Sequence, residues 1–104
     1  MSRSIGYKTF QFVLSGVNQR LSATKMYCYG FEIYADVSNS GIVYTGDELV
    51  GSLDGRPIGP GRVFSPPEVH LGSNSDEYDL SKIWVVGTLN DTIRVIRTVY
   101  TGDD

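Results

Sequence analysis

The chain has 104 residues, enough for one domain with a modest core and too few for two independent ones. Hydrophobic residues at 40% and charged residues at 20% place it outside the disordered class, and a net charge of −3 argues against a general nucleic-acid binder, which needs a basic surface. No stretch approaches the roughly 20 apolar residues of a membrane span, and the single cysteine, Cys28, leaves no internal disulfide to form.

The opening Met-Ser-Arg-Ser-Ile-Gly lacks the apolar run of a signal peptide, so folding in a cytoplasm without disulfide staples is the expectation. Residues 1–6 are expected to form an N-terminal arm on a single domain spanning 1–104. Helix signals are weak throughout, because glycine or proline interrupts every apolar i, i+3, i+4, i+7 series. Strand signals recur instead. The first runs from Tyr7 to Leu14, with Phe10, Phe12 and Leu14 on one face. Residues 16–25 read as turn-like, with Leu21 as a lone apolar anchor. Met26 to Val37 is the clearest strand, its odd positions carrying Tyr27, Tyr29, Phe31, Ile33, Ala35 and Val37. Cys28, on the even face, reads as a small buried filler.

Ser38-Asn39-Ser40-Gly41 forms a turn, with a short strand from Ile42 to Thr45 after it. The stretch from Gly46 to Pro67 is dense in glycine and proline, with short strands expected at Glu48–Gly51 and Arg62–Ser65. Ser73 to Asp79 is a polar loop. Lys82 to Thr88 is the most apolar strand, with Ile83, Trp84, Val85 and Val86 consecutive, a pattern expected when both faces are covered. Trp84 is accordingly expected in the core. Asn90-Asp91 turns the chain into a last strand, Thr92 to Tyr100. About seven to eight short strands at this spacing predict an all-β fold, an antiparallel β-sandwich of jelly-roll-like or small-barrel form.

The charge is uneven. Residues 1–31 carry Arg3, Lys8, Arg20 and Lys25 and no acid, whereas the remainder holds five basic and twelve acidic residues. This asymmetry suggests a basic N-terminal portion that docks against an acidic neighbour, such as another copy. The candidate protein-interface residues are Arg3, Tyr7, Lys8 and Arg20 there, with Arg94, Arg97 and Tyr100 as a basic-aromatic strip on the last strand.

Catalytic patterns are missing. One histidine, His70, and one cysteine cannot supply the usual metal-ligand count, and His70 has no nucleophile context such as G-x-S-x-G. Asp47-Glu48 and Asp76-Glu77-Asp79 lie in turn-rich stretches, and the latter lacks the glycine and distal glutamate of an EF-hand. Gly59-Pro60-Gly61 is followed by no lysine and no helix, so it is no phosphate loop. The expectation is a non-enzyme without cofactor, metal, nucleic-acid or membrane partner.

Three segments carry a resemblance. N-S-G-I-V-Y-T-G-D begins at Asn39, D-G-R-P-I-G-P-G-R at Asp54 and D-L-S-K-I-W-V-V-G-T at Asp79. Together they resemble small tailed-bacteriophage virion structural proteins, over about half the chain. Trp84 stands where that pattern more usually has tyrosine, and Ile58 where it has leucine. The resemblance implies a virion protein assembled in a bacterial host cytoplasm, foremost a capsid decoration or cement protein that bridges subunits of the major capsid protein as a trimer or dimer. A head-fibre, head–tail connector or tail accessory role is the first alternative. A carbohydrate-binding module using Trp84 and exposed tyrosines is the second.

Overall fold

The computed structural model describes the backbone of residues 3–66 and 78–103 and the side chains of 6–66 and 78–99. It is all-β and antiparallel, with ten strands among the described residues: β1 (Arg3–Val13), β2 (Gln19–Arg20), β3 (Tyr27–Cys28), β4 (Gly30–Ala35), β5 (Val43–Gly46), β6 (Arg56–Ile58), β7 (Val63–Phe64), β8 (Tyr78–Asp79), β9 (Trp84–Val86) and β10 (Thr92–Asp103). One sheet has the order β1-β10-β4-β7 and a second β2-β9-β5-β6, with β3 and β8 forming a small third pair. The two four-stranded sheets share one core in a sandwich-like arrangement, and no barrel closes. The first sheet supplies Ile33, Ala35, Ile93 and Val95, and the second supplies Val43, Ile58 and Val85, all buried.

Period-2 patterning accounts for the first sheet. Phe31, Ile33 and Ala35 point inward from β4 and are buried, whereas Glu32 is exposed. Their register partners on β10 continue the pattern, Ile33 facing Val95 and Ala35 facing Ile93, with Phe10 and Phe12 next in line on β1. Phe10 and Phe12 stack with ring centroids 6.3 Å apart and pack on the core edge.

The strand expected from Met26 to Val37 is broken at Tyr29, into β3 and β4. The break reverses the alternation: Cys28 is buried, whereas Tyr27 and Tyr29 are exposed. A strand from Glu48 to Gly51 is also overturned. Asp47 accepts from the Leu49 N–H through Oδ1 at 2.9 Å and from the Val50 N–H through its carbonyl at 3.0 Å, closing a turn. Arg56–Ile58 pairs with β5 despite Pro57, as the edge strand of its sheet where a missing N–H is tolerated. From there Gly59 to Arg62 crosses to the first sheet. Gly61 sits at φ +77° and donates to the Ala35 carbonyl at 2.8 Å.

The apolar run before Gly87 is not covered on both faces. Val85 alone of Ile83–Val86 is fully buried; Trp84 is half-buried and faces Arg20 of β2 across the outer side of the sheet. A 3₁₀ turn at Leu80–Lys82 precedes this strand, capped by Asp79. The Asp79 carboxylate accepts from the Ser81 N–H, the Ser81 hydroxyl and the Met26 N–H at 3.0, 2.8 and 3.2 Å. Burial pushes Asp79 upward, but these donors outweigh it and hold the carboxyl below its ordinary value.

Residues 3–6 do not form a lone arm. The backbone of Arg3–Val13 pairs with β10, with an irregularity between Arg3 and Ile5, so both ends of the chain lie in one two-stranded ribbon. Beyond Thr98, β10 pairs with β1 alone, because β4 begins at Gly30 opposite Thr98.

Candidate functional site

The most conspicuous feature is an edge. Among the described residues β1, eleven residues long, pairs on one side only, with β10, while the other sheet edges, β2, β6 and β7, have two or three residues each. An unpaired strand edge presents a row of backbone N–H and C=O groups ready to accept another chain. Short strands and proline blunt the other edges, as Pro57 does on β6. Within 6–13 of β1, Lys8 is the single charge and proline is absent. Tyr7, Lys8, Thr9, Gln11 and Val13 are all exposed along it.

The sequence-derived interface residues divide among three places. Tyr7 and Arg94 lie on the outer face of the first sheet, where the Arg94 guanidinium stands 5.6 Å from the Tyr34 ring centroid. Lys8 and Arg97 are direct register partners on the opposite parity, in line with Phe31. Arg20 belongs to the second sheet and covers Trp84 at 5.9 Å. The backbones of Arg3 and Tyr100 lie in the ribbon, paired with Asp103 and Ile5, and their side chains lie outside the described residues.

A single strip of Arg94, Arg97 and Tyr100 on an edge strand does not form. Arg94 and Arg97 are separated by an odd number of positions and point to opposite faces. β10 is interior to its sheet from Ile93 to Thr98. Arg97 is half-buried, and its Nε is buried without a hydrogen-bond acceptor.

The carboxylates serve the backbone. Asp91 is buried and accepts from the Ser40 N–H, the Ser40 hydroxyl and the Gly41 N–H at 2.9, 3.1 and 3.0 Å. Burial pushes its carboxyl up, and the three donors more than offset this and hold it low. Asp36 accepts from the Ser38 hydroxyl and N–H, which lower it likewise. Among the described residues, no three of His, Cys, Asp and Glu gather where they could hold a metal ion, and no helix is long and apolar enough to cross a membrane. His70, Asp76 and Glu77 lie outside the described residues.

Reasoning from sequence missed the free edge and the way Asn39 works. β1 looks like any alternating strand until its partners are known. Asn39 was read as a turn residue, yet its side chain pairs with both backbone groups of Thr92, donating at 2.9 Å and accepting at 2.8 Å. Comparisons with protein-family models, curated proteins and solved structures found no match to this chain.

Proposed function

We propose that this protein is a virion structural protein, foremost a capsid decoration or cement protein that stabilises a phage head by bridging capsid subunits. The observation that supports this reading is the long edge of β1, unpaired among the described residues and carried on a ribbon that runs past the rest of its sheet. Backbone groups along such an edge add a strand from a neighbour, and the alternate side chains select which neighbour. The absence of acids from residues 1–31 gives the edge its electrostatic preference, for an acidic partner or the acidic part of a second copy. Each contact need contribute little, since many copies act together on one shell. The resemblance of the Asn39, Asp54 and Asp79 segments to phage virion proteins supplies the setting.

The test is reattachment to shells assembled without the protein, with cryo-electron microscopy of the decorated particle. The expected result is a copy number in the hundreds and β1 lying against a capsid subunit. A double substitution of the exposed Tyr7→Glu and Thr9→Glu should abolish attachment to an acidic partner and leave the melting temperature within a few degrees. A copy number near a dozen, or attachment through a surface remote from β1, overturns the decoration reading; the former favours a connector or tail accessory role.

A further inference from the structure

We infer that the outer face of the first sheet carries a saccharide-binding cleft, built where Gly30 leaves a gap between Tyr7 and the Glu32–Ser65 pair. Successive cross-strand rows on this face read Tyr7, Thr98, Gly30 and then Thr9, Ile96, Glu32. Every position but one presents a side chain. Gly30 presents none, and a cleft of about 380 Å³ opens there, the size of a small-molecule site.

The lining suits a polyhydroxyl ring. Tyr7 is 74% exposed and Tyr29 44%, and the half-buried Tyr78, packed edge-on against Phe31, also lines the cleft. Aromatic faces stack against the C–H faces of a pyranose. Glu32 sits beside them, and the Ser65 hydroxyl donates to its Oε2 at 3.1 Å, which fixes the carboxylate in place. A carboxylate accepts hydrogen bonds from two neighbouring sugar hydroxyls, the Thr98 hydroxyl can both donate and accept, and Ser65, its proton on Glu32, can still accept. An organic cation would use the rings and the carboxylate but would leave the Thr98 hydroxyl proton without an acceptor on the ligand. Trp84, the sequence's other candidate for sugar stacking, belongs to the second sheet under Arg20 and takes no part.

This inference requires no shell and stands apart from the virion proposal. The experiment is a glycan array probed with the whole protein, followed by NMR titration of the best-binding oligosaccharide. Saturable binding is expected. Tyr7→Ala and Glu32→Gln should each weaken it by about tenfold or more, and Gly30→Val should abolish it. Among the described residues a Cβ at Gly30 meets only Thr98, with Oγ1 at 3.7 Å and Cβ at 3.9 Å, and a β-branched residue suits a strand, so this variant fills the cleft without unfolding the domain. Trp84→Ala should bind as the wild type does. No binding across the array, or binding that survives Gly30→Val, overturns the inference. So does preferential binding of a trimethyllysine peptide, which would assign the cleft to a cation.

Discussion

Single side chains close gaps that the strands leave open. After Ala35 the chain turns away from β10, and of the Thr92 backbone only the carbonyl keeps a main-chain partner on that side, the Asp36 N–H at 3.1 Å. The Asn39 amide completes the pairing, donating and accepting in the manner of a neighbouring strand. Asn39→Ala strands the Thr92 N–H in a part-buried setting, while the carbonyl keeps the Asp36 N–H, and should cost about 1–3 kcal/mol, read as a lower urea midpoint with an unchanged slope. Asp91 ties the same region from the other side through Ser40 and Gly41. Its folded carboxyl is held below the ordinary value of 3.8, so its contribution is present above that pH and is lost as pH falls through the folded value. Asp36 and Asp79 are shifted in the same direction. Stability should therefore decline on acidification below about pH 4, and Asp91→Asn should flatten that decline while lowering the urea midpoint at neutral pH. A midpoint independent of pH in the wild type would contradict the assignment.

Within elements, the decisive positions are those where strands approach most closely. Gly87 follows β9, and a Cβ there would stand 2.6 Å from Leu14 Cδ1 and 3.4 Å from Val43 Cγ2, both on buried side chains. Gly87→Val should cost about 1–3 kcal/mol through overpacking, in contrast to Gly30→Val, where there is room. Thermal unfolding of the pair checks the contrast. The edge makes its own prediction. Amides of residues 6–13 should alternate in hydrogen exchange, protected where they face β10 and fast where they face solvent. Ile33, Ile93 and Val95, paired within the sheet and fully buried, should be slowest. Uniform protection along β1 in the isolated protein would mean the edge is already occupied.

At the scale of the molecule, the ribbon sets the shape. The radius of gyration is 14.3 Å and the principal extents are 46 × 26 × 23 Å, against about 13 Å for an ordinary 100-residue domain. Most contacts bridge distant parts of the sequence. Such a topology orders the ends last in any local reading, because β1 gains meaning only from a partner about ninety residues away. The twelve-residue β10, paired with β1 along its length and with β4 in the middle, is what joins the two ends to the core.

The local sequence was enough for the all-β class, for the inward set Phe31, Ile33 and Ala35, and for the anchors Leu21 and Cys28. Alternation of side chains is a property of neighbours, so a short window carries it. Other features belonged to the tertiary structure alone. The break at Tyr29 answers the pairing of β3 with β8 and of β4 with β10, two different partners for adjacent residues. Trp84 lost its expected place in the core because its row on the sheet ends at Arg20 and Gly46. Arg94 and Arg97, three positions apart, take opposite faces on any strand, whereas the interior place of that strand came from its pairing with both β1 and β4. The free edge of β1 and the gap above Gly30 are likewise facts about which strands stand next to which. Pairing joins residues tens of positions apart, and no local pattern of apolar and polar residues encodes that choice.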